Sequence, residues 1–155
     1  MVVSDWGYTM ANPLHIERMR SINFRLSHDC ARIEAACGGD AWDREQIIEY
    51  LRQPNAFGKA AMNEIGDVVL GYMLYRVVGS EINLNRILVR PESRRQGVGA
   101  AMLQRLKERV GVDGIRSVSC LIDNAPQNGL DTCLITNGFR LEWQGSSWVD
   151  FVYEG

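Results

Sequence analysis

The sequence predicts an α/β protein: a mixed sheet of about seven strands with about four helices on both faces. Three observations carry this reading. Three predicted strands follow one another between about 56 and 90, an amphipathic helix runs from about 97 to 110, and a strand, a helix and a two-strand hairpin close the chain. Strands joined by tight turns pair antiparallel, whereas a strand–helix–strand crossover makes a parallel pair, so the sheet is mixed with helices to cover it. At 155 residues, the chain suits one domain with a sizeable core.

In order, residues 1–12 read as a loose arm and 13–155 as a single domain. A strand is expected at about 16–22 and a helix near 27–37, stopped by Gly38 and Gly39. Asp43 with Gln46 forms a capping box for a second helix that ends before Pro54. Strands follow at about 56–63 and 68–79, with a turn at Glu64-Ile65-Gly66-Asp67. Gly79-Ser80 turns the chain into a strand at 81–90. After the helix at about 97–110 comes a strand at about 115–122, a helix opening near Ala125 or Pro126, and strands at about 138–144 and 147–153.

The stretch from Leu84 to Leu103 says most about function. An apolar strand runs into Pro91, then Arg94 and Arg95, then Gly97-Val98-Gly99, and a helix begins whose apolar stripe is Val98, Met102, Leu103 and Leu106. The first N–H groups of a helix have no internal partner, and the helix dipole adds partial positive charge there. Glycines without a Cβ let that backbone approach a phosphate, and arginines add charge-assisted hydrogen bonds. The pattern suits a phosphate-bearing ligand. An ordinary glycine-opened helix is the plainer alternative. Two other phosphate loops do not fit. A Walker-type loop needs Lys and Ser or Thr where Ala100 and Ala101 stand, and a dinucleotide fingerprint needs a small residue at Met102 and an acid near Ser117.

The segment Arg94-Arg95-Gln96-Gly97-Val98-Gly99 resembles the acetyl-CoA signature of the GNAT superfamily of N-acetyltransferases, Arg/Gln-x-x-Gly-x-Gly/Ala. Ile87-Leu88-Val89-Arg90-Pro91-Glu92 is similar to that family's fourth strand and its exit, and Asn137-Gly138-Phe139 to the start of its sixth. The resemblance covers about residues 15 to 155, and the layout is similar to that of the ribosomal-protein alanine N-acetyltransferases.

It implies a GNAT-like fold and transfer of an acetyl group from acetyl-CoA, as cosubstrate, to an amine: a protein N-terminus or a small molecule. The backbone of Ile87, Leu88 and Val89 would pair with the pantetheine. The N–H groups of Gln96, Gly97, Val98, Gly99 and Ala100, with Arg94 and Arg95, would hold the pyrophosphate. Gln127 would stand where the family has a pantetheine-binding asparagine, and the N–H of Val89 would polarise the thioester carbonyl.

The usual proton carriers are replaced: the family's glutamate positions fall on Asn83 and Ile122 and its tyrosine position on Leu134. Glu81, Asp123 and Tyr153 are the substitute candidates, Glu81 and Asp123 with the plainer reading of a surface carboxylate and Tyr153 as a donor to the departing thiolate. Cys120 as an acyl acceptor stands against a core thiol. These departures keep open a second reading, a catalytically weak acyl-CoA-binding or regulatory domain. Phe24, Trp42, Asp43, Tyr50, Trp143 and Trp148 fall on the segments that build the family's acceptor pocket.

Composition narrows the partners. Hydrophobic residues make 46% of the chain and charged ones 23%, with a net charge of −2, which argues against nucleic acid. Residues 86–116 hold eight Arg or Lys against Glu92, Glu108 and Asp113, so this segment carries +5 and the rest −7, a local field that suits a polyanionic cosubstrate. The apolar runs fall short of a membrane span, and the first residues do not read as a secretory signal, so a cytoplasmic monomer or homodimer is expected. Cys30, Cys37, Cys120 and Cys133 lack metal-ligand spacing, and no metal is expected.

Overall fold

The computed structural model describes residues 19–123 and 129–155. Seven strands form one sheet: β1 (Met19–Ser21), β2 (Ala56–Met62), β3 (Val69–Val78), β4 (Glu81–Val89), β5 (Ser117–Asp123), β6 (Arg140–Gln144) and β7 (Trp148–Tyr153). Their spatial order is β1-β2-β3-β4-β5-β7-β6, and every neighbouring pair is antiparallel except β4 with β5. The helices are α1 (Phe24–Cys37), α2 (Arg44–Leu51), α3 (Val98–Lys107) and α4 (Leu130–Thr136). The expected sheet and helix count are both present.

Local chemistry sets the helix ends. α1 starts three residues before the expected 27 because Asn23 caps it, its Oδ1 accepting the Leu26 N–H at 2.8 Å. The Asp43–Gln46 capping box opens α2 as expected. α3 ends at Lys107, short of the expected 110, and Val110 packs on the core from the following turn. The helix expected to open near Ala125 or Pro126 is α4, described from Leu130; residues 124–128 lie outside the described residues.

Two cores flank the sheet. Leu26, Cys30, Ile33 and Ile47 of α1 and α2 pack with Tyr72 and Leu74 of β3 on one face. Met102, Leu103 and Leu106 of α3 and Leu134 of α4 pack with Ile82, Leu84, Val118 and Phe151 on the other. Burying such side chains stabilises a domain by about 25 cal/mol for each Å² removed from water. α3 comes close to the sheet because Gly71 of β3 has no side chain: a Cβ there would meet the Leu88 carbonyl oxygen at 2.7 Å, Met102 Cε at 3.1 Å and a Val98 methyl at 3.2 Å.

A bulge interrupts β4. Tyr75 opposes Leu84 and Leu74 opposes Arg86, so Asn85 is the extra residue. The bulge reverses which residues face which helices. Ile82 and Leu84 before it, and Ile87 and Val89 after it, all enter the α3/α4 core. Leu88 instead packs toward α1 and α2.

Candidate active site

The sheet opens at its centre. β4 and β5 pair from Glu81 with Ser117 to Leu84 with Cys120, and there the parallel ladder stops. Both strands continue, β4 along β3 to Val89 beside Gly71, and β5 along β7 to Asp123 beside Trp148. The Asn85 bulge begins where the pairing ends, and bulges bend a strand and increase its twist, so β4 leans away from β5. In an antiparallel ladder alternate residues bond to the neighbour. Arg90 N–H bonds to Leu70 at 2.9 Å, so Leu88 turns its polar backbone groups toward β3, and Ile87 and Val89 turn theirs toward the gap.

The gap leads to the glycine turn. A one-turn helix, Pro91–Ser93, ends β4; Arg95 and Gly97 then adopt left-handed φ values of 65° and 84°, and α3 starts at Val98. Among the described residues, the N–H groups of Gln96, Gly97, Val98, Gly99 and Ala100 donate to no protein acceptor, and the first internal bond of the helix is Ala101 N–H to the Gly97 carbonyl at 3.0 Å. Arg94 donates from Nε to the Val89 carbonyl at 3.2 Å and sits 3.3 Å from the Cys37 sulfur, while the Cys37 thiol donates to the same carbonyl at 3.6 Å. Arg95 and Gln96 are exposed. These five amides therefore follow the end of β4, on the side where β4 and β5 have parted.

Comparison with known proteins bears on this arrangement. The family model described as the acetyltransferase (GNAT) family matches residues 26–130. The chain belongs to the GNAT acetyltransferase family. Solved structures share its fold at low sequence identity. The ribosomal-protein-S18-alanine N-acetyltransferase from Escherichia coli is 14% identical, with a TM-score of 0.74 over 88% of this chain and 92% of that one. PaiA N-acetyltransferase from Thermoplasma acidophilum, in complex with coenzyme A, is 14% identical with a TM-score of 0.71 over 88% and 98%. Arabidopsis thaliana NAA60, in complex with a bisubstrate analogue, is 15% identical with a TM-score of 0.72 over 88% and 98%. No curated protein sequence matches the chain.

Within this GNAT domain the three substitute proton carriers do not gather. Glu81 stands at the paired end of β4, where its Oε2 accepts the Ser117 hydroxyl at 3.3 Å. Asp123 closes β5 opposite Trp148. Tyr153 pairs in register with Val118 and packs on the α3/α4 side, its ring 5.6 Å from Phe139 and with Lys107 Nζ 5.1 Å from its centre. Gln127 lies outside the described residues. At the three replaced positions, Leu134 is wholly buried, Ile122 is in the α3/α4 core, and Asn83 Oδ1 accepts the Ser119 hydroxyl at 2.8 Å. Cys120 is buried, and burial, then the nearby Asp150 carboxylate, pushes its thiol up to about 12, so it stays a neutral core thiol at ordinary pH.

One carboxylate escaped the sequence reading. Asp150 of β7 registers with Leu121 of β5 and Trp143 of β6, one pair beyond the point where β4 and β5 part. Its carboxyl holds its proton above the usual range, first through burial and then through the charges of Glu81 and Glu142. Leu121, Trp143 and Trp148 around it are exposed. The clue available in the sequence was alternation: Asp150 is the only charged residue in the Trp148–Tyr153 strand.

The opposite wall is fixed by a buried charge. Glu34 of α1 is fully buried, and it accepts the Arg86 guanidinium through both oxygens at 2.7 and 2.6 Å and the Tyr72 hydroxyl. Glu34 also accepts the Trp42 N–H at 3.0 Å, and Arg86 lies over the Trp42 ring at 4.6 Å and donates to the Asp40 carbonyl at 3.4 Å. The loop between α1 and α2 is thus held to β3 and β4 by one network. Of the other aromatics, Phe24 is exposed beneath the Arg44 guanidinium, 3.6 Å from its centre, and Asp43 serves as the α2 cap.

Proposed function

We propose that the chain is an acetyl-CoA-dependent N-acetyltransferase acting on a protein N-terminus or a small amine. The observation that carries this reading is the continuity of three features. The strands part beyond Leu84 and Cys120, Ile87 and Val89 turn backbone groups into the gap, and the gap ends at the unpartnered amides of residues 96–100. Amides aimed outward at a helix N-terminus suit a pyrophosphate, and a strand edge open on one side suits the amides of a pantetheine arm. The cationic segment 86–116 adds a favourable field.

The residues divide the work. The amides of Gln96, Gly97, Val98, Gly99 and Ala100 hold the pyrophosphate, and Arg94 and Arg95 add positive charge beside it. Ile87 and Val89 supply the strand edge; Leu88 contributes packing, because its backbone is committed to β3. The Val89 N–H donates to the thioester carbonyl and steadies the negative charge that grows on its oxygen, a kind of contact worth about 3–4 kcal/mol of barrier. In the transfer, the acceptor nitrogen bonds to the acetyl carbon, the carbon–sulfur bond breaks, a carboxylate takes one proton from the nitrogen, and the departing thiolate takes a proton from solvent. Asp150 is the carboxylate best supported for that step, with Glu81 next; Asp123 and Tyr153 remain weaker candidates.

The test is a calorimetric titration with acetyl-CoA, followed by measurement of thiol release with a panel of amines and peptides. Micromolar binding with acceptor-dependent release is expected. Tight binding with no release from any acceptor would instead support the catalytically weak, regulatory reading that the residues at Asn83, Ile122 and Leu134 keep in view. No helix among the described residues is long and apolar enough to cross a membrane.

A further inference from the structure

Two buried polar atoms near the root of the gap have no partner among the described residues: the Tyr50 hydroxyl on α2 and Arg76 Nε on β3. Tyr50 is 7% exposed, so its hydroxyl is withheld from water without a hydrogen bond in exchange. Leaving such a group unpaired costs about 1–3 kcal/mol, so a group of this kind calls for an explanation. The two are neighbours, since the Arg76 charge acts on the Tyr50 hydroxyl, although burial dominates and pushes that hydroxyl up to about 12. A neutral, proton-bearing hydroxyl beside a permanent cation can act only as a donor toward an anion.

The sheet register extends the site. Arg76 opposes Asn83, and Asn83 opposes Ser119, in one row across β3, β4 and β5, and the next pair, Leu84 with Cys120, is the last before the strands part. Asn83 Oδ1 is taken by the Ser119 hydroxyl, which leaves its amide N–H groups to donate. Tyr50, Arg76 and Asn83 can therefore each donate to an anion on the β3–β4 side of this row. On β7, beyond the point where the strands part, stands Asp150, an acceptor of positive charge, while Glu81 shares β4 with Asn83, two residues before it. Arg76 on β3 and Asp150 on β7 are three strand spacings and two residues of register apart, about 16 Å across the sheet where strands remain paired.

We infer that the acceptor is a small amine bearing its own carboxylate, an amino acid or a close analogue, whose carboxylate is bound by Arg76 and Tyr50 with Asn83 beside them. This inference rests on the acetyl-transfer reading and chooses between the two acceptor classes it allows. A peptide N-terminus has a neutral amide where a free amino acid has its carboxylate, so its carbonyl oxygen could accept a hydrogen bond but would leave the Arg76 charge without a counter-charge. Sites built to bond a polar group reject analogues lacking it far more strongly than they reject a missing methylene.

The experiment uses the full chain with saturating acetyl-CoA and reads thiol release from free amino acids, their carboxamides and an unrelated tetrapeptide. Acids are expected to exceed their carboxamides in kcat/KM by at least about tenfold. Arg76→Gln and Tyr50→Phe should bring that ratio toward one, chiefly by raising KM for the acids. The ratio is taken within each variant, so it is insensitive to the fraction folded. Carboxamides or the tetrapeptide reacting as well as the acids, or an Arg76→Gln ratio equal to that of the wild type, would overturn the inference and leave acetyl transfer standing. If nothing is turned over, calorimetry of N-acetylated amino acids against their carboxamides on the CoA-loaded protein decides: carboxylate-dependent binding supports the inference, and equal or absent binding overturns it. Failure of acetyl-CoA itself to bind would overturn the underlying reading, and this one with it.

Discussion

Arg94 donates its Nε to the carbonyl of Val89 at 3.2 Å, tying the end of β4 to the turn that opens α3. The same guanidinium lies 3.3 Å from the Cys37 sulfur at the end of α1, so three elements meet on one carbonyl at the mouth of the gap. Arg94 thus has a positioning task besides its charge. Arg94→Gln is expected to weaken acetyl-CoA binding about tenfold, the size of one charge-assisted hydrogen bond. Calorimetry at 0.05 and 0.5 M salt separates the two roles. A loss that persists at high salt supports the tie to Val89, whereas a loss that disappears there reports a screened contact with phosphate alone.

Gly97 carries the sharpest local requirement. Its φ of 84° is a left-handed value that a β-branched residue adopts only under strain, and its amide belongs to the unpartnered set. Gly97→Val should cost about 1–2 kcal/mol of stability and lower acetyl-CoA affinity by at least about a hundredfold, because the strain and the branched side chain both act on the phosphate turn. Urea unfolding with calorimetry on the same preparation checks both. Unchanged affinity would remove the pyrophosphate from this turn.

Gly71 makes a related demand from beneath α3. A Cβ at Gly71 would approach the Leu88 carbonyl oxygen, which is backbone and cannot swing aside, as well as the Met102 and Val98 side chains. Gly71→Val should destabilise the protein by about 1–3 kcal/mol by overpacking, and should weaken acetyl-CoA binding by shifting α3 and its first amides off the sheet. A thermal melt and an acetyl-CoA titration test the two effects together. A variant of normal affinity would uncouple the glycine turn from the seating of α3.

These glycines show what the sequence made legible and what it did not. The Gly97–Gly99 turn and its helix could be read because local chemistry fixes them: φ, a missing Cβ and free amides belong to neighbouring residues. The Asp43–Gln46 cap was legible for the same reason. The order of elements implied the mixed sheet, and the family resemblance reached the same fold. Gly71, the Asn85 bulge, Asp150 and the Tyr50–Arg76 pair were not legible. Each acquires its meaning from a partner on another strand or helix, and sequence spacing does not reveal register. Arg86 is the clearest case. It counted as one of eight cations in a basic segment, yet it is spent on Glu34 and the loop between α1 and α2, not on the cosubstrate.

The Glu34–Arg86 pair can be tested directly. Glu34 is 1% exposed at its side chain and Arg86 22%, so removing the acid leaves a cation that reaches water only in part. Glu34→Gln should lower stability by about 3 kcal/mol, the lower end for breaking a buried pair, since its single oxygen must serve Trp42, Tyr72 and Arg86 without a charge. Glu34→Gln combined with Arg86→Met should recover part of that loss, since the stranded charge is gone. Urea unfolding of the four proteins forms the cycle, and additive losses would mean that the pair is not coupled.

Asp150 links activity to stability with opposite signs. Its carboxyl holds its proton more tightly in the fold than in the unfolded chain, through burial first and then through Glu81 and Glu142. The fold therefore favours the protonated form. The stabilisation is fully present below the unfolded pKa and is lost as pH rises through the raised folded value. At neutral pH the ionised Asp150 is a cost to the fold, so Asp150→Asn should raise the melting temperature there, with the difference vanishing in acid. As a proton acceptor, however, Asp150 works only when ionised. The kcat/KM of the wild type should rise with pH on an acidic limb set above the ordinary carboxylate range of about 4, and Asp150→Asn should remove that limb and about 10²–10⁴ of the rate. Melts and pH–rate profiles of the two proteins test this. A variant that is less stable at neutral pH, or one that keeps the acidic limb, would leave Asp150 as a structural residue and pass the proton to another group.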